Sequence, residues 1–385
     1  MKTPFTRSLP FYLGGFMGPF GTVVILPMFP ELRSEFGAST EAVSWGLTAY
    51  TLPMAALLLV SGTIGERYGR GRVLRITLLF YTGASIFTAM APTLLLFVLG
   101  RAMQGAGNAF FTPLLLAGLT DLTAPDQIGR RVGVYSSFQA AGGAVAPLVG
   151  GIAGDLQWRA AFWGTAALAF LMAVMIPVEQ RPSRTAASAA SLRLLVDRRV
   201  LLIGLAALFA SAGPYTANVL VGLKARDLLG LSATEAGLLI LFGSSAGLFM
   251  APVWGSLVDR VGGRVMSITA TLATGLALVF VGFAPGTATT GATWFLAGGL
   301  IVGLVVALQS LAALAIPTNR GGALSATMSF RFFGHAVGPL LWIPVFEMNA
   351  TLAFVGAASF ALVTASMLWL ATTRHNATPT EPLTS

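Results

Sequence analysis

Twelve long hydrophobic runs dominate this sequence. They lie near residues 9–29, 43–64, 73–91, 94–119, 132–154, 160–178, 199–221, 236–256, 264–284, 292–315, 323–345 and 350–372. A helix needs about 20 mostly apolar residues to cross the hydrocarbon core of a bilayer, and the runs are close to that length. Because backbone groups in lipid must pair within the chain, a run of this kind spans as a helix. The pattern predicts an all-α integral membrane protein with twelve transmembrane helices.

Charged residues are too few to cover a water-soluble fold. Basic and acidic residues number 23 and 14 and together make up 10% of the chain, against about 25% in soluble domains. The net charge of +9 therefore does not indicate a nucleic-acid partner. Cysteine is absent, and the two histidines, His335 and His375, are too few for a metal site. Neither Lys2 nor Lys224 lies in a glycine-rich phosphate loop, so we expect no ATP site, no enzyme activity, no metal and no cofactor.

The basic residues predict the orientation of the chain. With the N-terminus in the cytoplasm, 17 of the 23 basic residues fall in cytoplasmic segments and two fall in spans. The four in outer segments are Arg33, Arg159, Lys224 and Arg226. Lysine and arginine concentrate in cytoplasmic loops. We therefore expect a multi-pass protein of the plasma membrane with both termini cytoplasmic.

The chain divides into two similar halves. Residues 137–148 and 329–340 share seven of twelve positions, and residues 62–69 recur in weaker form as 255–262. These repeats predict a six-helix bundle at 1–178, a cytoplasmic linker at 179–198, a second six-helix bundle at 199–372 and a cytoplasmic tail at 373–385. Because six is an even number, the halves are parallel repeats. That arrangement predicts a binding site between them near the middle of the bilayer.

The loop after the second run carries a motif. Its sequence, GTIGERYGRGR at 62–72, resembles the cytoplasmic signature of the major facilitator superfamily. The residues that match are Gly62, Glu66, Arg67, Gly69 and Arg70, with glutamate in place of the usual aspartate. The twelve runs, the repeat and the linker agree with this family over nearly the whole chain. The resemblance implies the major facilitator fold and a transporter whose halves rock about a central site.

The resemblance also implies that this motif is a conformational gate. Glu66 is expected to pack on the cytoplasmic N-terminus of span 11, where the helix dipole stabilises a carboxylate, and so to lock the outward-facing state. Asp121, at the end of span 4, and Arg130 are expected to complete a charge network. Topology alone would explain the arginines, but not a glutamate among them.

Span 4 contains an arginine within the membrane. The sequence Arg101-Ala-Met-Gln104-Gly105-Ala-Gly107 resembles the span-four signature of the family, which is associated with proton coupling. A charge at this depth is costly and usually functional. The alternative is a structural arginine paired with backbone carbonyls.

Span 5 carries a second family signature. Gly143, Pro147, Gly150 and Gly151 resemble the antiporter motif that ends in Gly-Pro-x-x-Gly-Gly, with Ala146 in place of its glycine. In the family this motif is found in exporters and seals the interface between the halves. The alternative is ordinary close packing of helices through small residues.

Polar residues within the spans are candidates for coupling and for substrate contact. Arg331 and His335 are four residues apart and share one face of span 11; with Arg101 they are the coupling candidates. No acidic residue lies deep in a run, which favours neutral, anionic or lipophilic substrates over cations. The candidates that line the substrate site are Gln104, Asn108, Gln139, Tyr215, Asn218 and Gln309. A polar residue of this kind more often forms an interhelical hydrogen bond than a contact with a ligand.

Three functions are compatible with these features. The first is a proton-coupled exporter of lipophilic small molecules or drugs, a monomer whose partners are substrate, protons and membrane lipid. The second is an importer of a small organic anion that uses Arg101 and Arg331 as a clamp. The third is a membrane receptor that transports nothing.

Overall fold

The computed structural model describes residues 5–123, 127–176, 197–316 and 320–372. Within these ranges the chain is helical, and the helices form twelve rods that match the predicted runs to within several residues. Residues 179–196 of the predicted linker and the tail at 373–385 lie outside the described residues.

The first six rods form the N-terminal bundle. Their helices are Phe5–Val23 with Phe29–Phe36 (span 1), Thr40–Tyr68 (span 2), Arg70–Ala89 (span 3), Leu94–Asn108 with Phe111–Asp121 (span 4), Ile128–Leu156 (span 5) and Arg159–Met175 (span 6). A 3₁₀ turn at Leu26–Met28 joins the two parts of span 1.

The second six rods form the C-terminal bundle. Their helices are Arg198–Ala212 with Ala217–Leu223 (span 7), Ala233–Val261 (span 8), Gly263–Phe283 (span 9), Thr287–Ala315 (span 10), Arg320–Met348 (span 11) and Ala350–Thr372 (span 12). A 3₁₀ turn at Pro214–Thr216 interrupts span 7, and a π turn at Lys224–Leu228 ends it.

Seven of the rods, spans 1, 2, 4, 7, 9, 10 and 12, are long and apolar enough to cross a membrane on length and hydropathy alone. The other five lie beside them in the same bundles. The prediction of an all-α integral membrane protein with two six-helix halves is confirmed.

Prolines interrupt spans 1 and 7. Pro27 and Pro30 start the 3₁₀ turn and the short helix of span 1, and Pro214 starts the turn of span 7. Proline has no backbone N–H and cannot continue a helix without a lost hydrogen bond. The break in span 7 places Tyr215 and Asn218 beside the space between the halves.

The two ends of the bundle differ in their contacts. We call the end that contains Tyr68–Arg70, Asp121 and Arg198 the linker end, and the opposite end, which contains Phe36–Thr40 and Leu228–Ala233, the distal end. The largest cluster of buried apolar side chains joins the halves toward the distal end, with Val24 and Leu26 of span 1 against Leu220 and Ile240 of spans 7 and 8. The apolar core that joins the two halves therefore lies closer to the distal end than to the linker end.

Candidate functional site

A cavity of about 440 Å³ lies between the two halves. Spans 1, 2, 4 and 5 form one wall, and spans 7, 8, 10 and 11 form the other. Its lining includes Gly18, Pro19, Thr22, Val23, Met54, Thr112, Ser136, Gln139, Gly143, Pro147, Asn218, Ser244, Val305, Gln309, Met328, Arg331, Phe332 and His335. The cavity has the position that parallel repeats predict for a binding site.

Arg331 and His335 both line this cavity, on one face of span 11. The guanidinium of Arg331 lies 5.6 Å from the ring centre of Tyr215 and 5.5 Å from that of Phe332. Its Nε atom is buried and has no hydrogen-bond partner in the described part of the chain. The group is held between two aromatic rings rather than by a carboxylate.

His335 is fixed by its own helix. Its Nδ1 lies 2.9 Å from the carbonyl oxygen of Arg331. A carbonyl can only accept, so Nδ1 carries the hydrogen and Nε2 is the basic nitrogen of the neutral ring. The ring centre is 5.6 Å from Tyr215 and 5.7 Å from Phe332. The imidazole therefore sits in an aromatic corner of the cavity beside Arg331.

Four of the six candidates for substrate contact face this region. Gln139, Asn218 and Gln309 line the cavity, and Tyr215 lines two adjoining pockets with Gln309 and Asn218. Gln139 donates to Thr112 Oγ1 at 3.3 Å, and Asn218 donates to the Tyr215 carbonyl at 3.3 Å. These side chains are within reach of a molecule in the cavity.

Gln104 and Asn108 lie elsewhere, inside the N-terminal bundle. Gln104 donates to Ser85 Oγ at 2.8 Å, and Asn108 donates to the Gly18 carbonyl at 2.9 Å and the Tyr50 hydroxyl at 2.8 Å. Both side chains are buried. Their face of span 4 packs on neighbouring helices, so here the interhelical hydrogen bond replaces the expected contact with substrate.

Arg101 belongs to the same buried network. Its side chain is 0% exposed. It donates to the carbonyls of Gly46 and Gly21 at 3.2 and 2.9 Å and to Gln104 Oε1 at 2.9 Å. Its guanidinium lies 4.2 Å from the ring centre of Tyr50. This geometry matches the structural alternative, and it keeps Arg101 out of any clamp with Arg331.

The signature of span 5 lies at the seam between the halves. A Cβ atom at Gly151 would collide with the carbonyl oxygen of Ala233, and one at Gly237 would collide with that of Pro147. A Cβ at Gly150 would strike the carbonyl oxygen of Val24 at the break in span 1. The glycines let the backbones of spans 1, 5 and 8 touch, which closes the distal side of the cavity.

Charged residues reinforce this distal closure, and sequence reasoning missed them. Asp155 accepts hydrogen bonds from the backbone N–H groups of Ala233 and Thr234 at 2.9 and 2.8 Å. The carboxylate thus caps the N-terminus of a helix in the other half, where the dipole stabilises it.

Two ion pairs cross between the halves beside that cap. Arg33 binds Asp227 at 2.6 Å, and Arg226 binds Glu31. Arg33 and Arg226 are 193 residues apart and therefore occupy equivalent places in the repeat. Equivalent positions near a two-fold axis face each other, and this is the signal that could have identified the pairs from sequence.

Lys224, expected in an outer loop, is instead part of the fold. It is 4% exposed and donates to the carbonyls of Val281 and Ala284 at 2.6 and 2.8 Å. It caps the end of span 9, because the last carbonyls of a helix lack intrahelical partners.

The motif after span 2 forms a charge cluster at the linker end. Arg70 lies 3.6 Å from Glu66 and 2.5 Å from Asp121. Arg67 stacks on Tyr68 at 5.4 Å, and Arg130 is exposed at the start of span 5. Residues 317–319, which precede span 11, lie outside the described residues. The expected contact between Glu66 and the start of span 11 stays a prediction.

Glycines in this motif have two different roles. Gly69 turns the chain between spans 2 and 3 with φ +93°, and its repeat counterpart Gly262 has φ +90°; only glycine adopts such angles readily. Gly62 and its counterpart Gly255 have no described atom within 4 Å of an added Cβ. A side chain added at either glycine would therefore meet no described atom, in contrast to the tight distal seam.

Comparisons with known proteins agree with this architecture. The family model of the Major Facilitator Superfamily matches residues 11–339 and 203–385. The multidrug efflux protein YfmO of Bacillus subtilis (strain 168) is 26% identical over 335 residues, which cover 84% of this chain and 81% of that protein. The puromycin resistance protein pur8 of Streptomyces alboniger is 33% identical over 169 residues, 43% of this chain but only 33% of that protein.

A solved structure shows the same fold. The nucleoside transporter NupG, as its D323A mutant, superposes with a TM-score of 0.75 over 95% of this chain and 100% of its own, at 13% identity. At that identity the likeness concerns the fold.

Proposed function

This chain belongs to the Major Facilitator Superfamily, and on that premise we propose that it exports lipophilic small molecules by alternating access, driven by the proton gradient. One observation carries the proposal: the antiporter-type residues of span 5 meet span 8 backbone to backbone and close the distal side of a cavity between the halves. The likeness to a multidrug efflux protein over 84% of the chain supports export as the direction.

The proposal includes an orientation and a location. Seventeen of the 23 basic residues lie in segments on the same side of the membrane as the linker end and the termini, and basic residues concentrate on the cytoplasmic side. We therefore place the protein in the plasma membrane with the linker end and both termini in the cytoplasm. The closed distal end then faces outward, and Gly62 and Gly255, where an added Cβ would meet no described atom, lie toward the cytoplasm. This conformation would load substrate from inside. A reporter fused after Ser385 that works only outside the cytoplasm would contradict this orientation.

Two gates are needed for alternating access. The distal gate consists of Asp155 of span 5, which caps the start of span 8, and the ion pairs of Arg33 with Asp227 and of Arg226 with Glu31. The cytoplasmic gate consists of Glu66, Arg70 and Asp121. When the distal gate opens, Glu66 would exchange part of its contact with Arg70 for the N-terminus of span 11. Such exchanges are worth a few kcal/mol at most, which suits two states of similar free energy.

Proton coupling is assigned in this proposal to His335 rather than Arg101. His335 lines the cavity with a basic Nε2 atom, and histidine is the side chain whose unperturbed pKa lies closest to neutral pH. Each guanidinium nitrogen of Arg101 already donates a hydrogen bond inside one half. No further cofactor is required by the proposal.

Export can be tested in two steps. First, cells with and without the protein are challenged with a panel of toxic lipophilic compounds, and we expect resistance to some of them. Second, inverted membrane vesicles are energised with a proton gradient, and the same compounds should accumulate inside. Uptake by intact cells instead would indicate an importer, and an absence of flux in both directions would indicate a receptor.

A further inference from the structure

Among the described residues that line the central cavity, one side chain is charged, and its charge is positive. Arg331 is the arginine in its lining, His335 lies beside it, and none of the described lining residues is acidic. The ion pairs of the described chain lie at the ends of the spans, away from this cavity. The described lining of the cavity therefore supplies no carboxylate to neutralise Arg331.

Arg101 and Arg331, two arginines within spans, differ in their hydrogen-bond partners. Arg101 has three acceptors for its guanidinium within one half. Arg331 has aromatic rings at 5.5 and 5.6 Å, and its buried Nε has no acceptor among the described residues. An arginine at this depth normally pairs with another group. The missing acceptor at Arg331 indicates that the substrate itself supplies the partner.

A second unpaired donor lies next to it. The hydroxyl of Tyr215 is buried and lacks a hydrogen-bond partner in the described residues. Tyr215 and Arg331 line the same small pocket, which adjoins the cavity. A guanidinium and a phenol side by side suit the oxygens of a carboxylate or sulfonate, because hydrogen bonds to an ionised acceptor are the strongest that such donors form.

The rest of the wall is suited to an apolar body. Val23, Met54, Val305, Met328 and Phe332 line the cavity. Its volume of about 440 Å³ falls in the range typical of sites for drug-sized ligands. Methionines add an adaptable surface that accepts different shapes.

We propose that the cavity binds amphipathic organic anions, with the acid group held by Arg331 and Tyr215 and the apolar body held between the halves. The proposal rests on the proposed function in taking this cavity as the transport site. It narrows the substrate class from lipophilic compounds in general to those with a carboxylate or sulfonate. An inside-negative membrane potential favours the outward movement of such an anion, which is consistent with export.

The test uses three probes with one apolar body: 2-naphthoate, 2-naphthamide and 2-naphthylmethylammonium. Binding to the purified full-length chain in lipid nanodiscs is measured by titration calorimetry. We expect wild type to bind the carboxylate about tenfold or more tightly than the amide, and the amine least. Arg331→Gln should abolish the preference for the carboxylate, with amide binding retained. Arg331→Lys should keep part of it, since lysine supplies the charge but not the fork of donors.

Two controls keep the result interpretable. Arg199→Gln removes an exposed arginine at the start of span 7 and should leave all three affinities unchanged. Tyr215→Phe removes only the hydroxyl and should weaken carboxylate binding alone. Each variant is checked for wild-type thermal unfolding, so that loss of binding is not loss of fold.

Several outcomes would overturn the proposal: equal affinity for the three probes, preference for the amine, a carboxylate preference that survives Arg331→Gln, or no saturable binding of 2-naphthoate by wild type. Flux in inverted vesicles separates this failure from failure of the export function. Export of the three probes at equal rates, unchanged by Arg331→Gln, would leave export intact and refute the anion site. Carboxylate binding that depends on Arg331, without any export, would support the anion site and refute the export function.

Discussion

Arg101 and Arg331 lie within membrane-spanning helices but have different surroundings. The sequence predicts both as costly charges with a function. The difference between them depends on Gly21 and Gly46, whose carbonyls accept from Arg101 across 80 and 55 residues of chain. Span 4 can approach span 2 closely enough for these hydrogen bonds only because residue 105 is a glycine. A Cβ at Gly105 would collide with the carbonyl of Tyr50. The sequence around Arg101 does not indicate which distant carbonyls will accept its hydrogen bonds. A structural role for Arg101 therefore could not be distinguished from a role in proton coupling on the basis of sequence.

Arg101→Met should therefore destabilise the fold. The change removes three hydrogen bonds from a fully buried site, and we expect the free energy of unfolding to fall by about 2–4 kcal/mol. Arg331→Met is the matched control and should cost less than about 1 kcal/mol, because it has few partners to lose. Denaturant unfolding of both variants in the same detergent measures the difference. Equal destabilisation would contradict the assigned roles.

His335→Gln should alter coupling without altering folding. The charged or titratable groups that face His335 are Arg331 and Tyr215, and glutamine preserves polarity but cannot carry a proton. We expect the flux of wild type to vary with pH because His335 can gain and lose a proton, and that of the variant to be flat. His375→Gln, in the tail at 373–385, is the control. Identical pH profiles for all three proteins would refute the proton role.

At the seam between spans 5 and 8, the sequence of one helix predicts that the helix packs closely but not which residues it packs against. The sequence of span 5 predicted close packing at Gly143–Gly151 and an interface between the halves. The partner residues, Ala233 and Gly237, lie in span 8. They could not be predicted, because small residues occur throughout the spans and only the relative rotation of two helices selects which of them meet. The same reasoning explains why Gln139 reaches the cavity and Gln104 does not.

Gly237→Val should wedge this seam apart. The added side chain would collide with the carbonyl of Pro147, so the distal end should open and the cavity should face outward. Thr22→Cys, introduced into the naturally cysteine-free chain, reports on the cavity. We expect an impermeant maleimide added outside to label it faster in the Gly237→Val background. Gly164→Val, at an exposed site with open space around it, should not change the rate.

The molecule as a whole follows from its internal repeat. Twelve runs, two parallel halves and a central site were all predictable, because the bilayer restricts spanning segments to helices and the repeat fixes their relation. The crossed pairs of Arg33 with Asp227 and of Arg226 with Glu31 were not predicted. They exist only where the two-fold axis brings the ends of spans 1 and 7 together, and charge counting treats those residues as loop positions.

Reversing one of these pairs should show that it acts on the gate. Arg33→Asp and Asp227→Arg should each speed outside labelling of Thr22→Cys, since like charges would then face each other. The double exchange should return the rate close to that of the parent. Partly exposed pairs are worth about 0.2–1 kcal/mol, so we expect changes of about fivefold or less. Additive effects in the double variant would exclude a direct pairing.

The central claim is that substrate crosses through the cavity between the halves and that the distal seam must open for this to happen. Gly154 of span 5 faces Ala233 of span 8, and a Cβ at Gly154 would lie 3.0 Å from that of Ala233. Disulfides need about 3.5–4.5 Å between Cβ atoms, so a small outward shift of the two helices brings this pair into range. Gly154→Cys with Ala233→Cys is therefore expected to cross-link on oxidation in this cysteine-free chain. The measurement is proton-driven accumulation, in inverted vesicles, of a compound to which expression gives resistance. We predict that oxidation abolishes it, that a reductant restores it and that either single variant is unaffected by oxidation. Undiminished flux through the fully cross-linked protein would contradict the account.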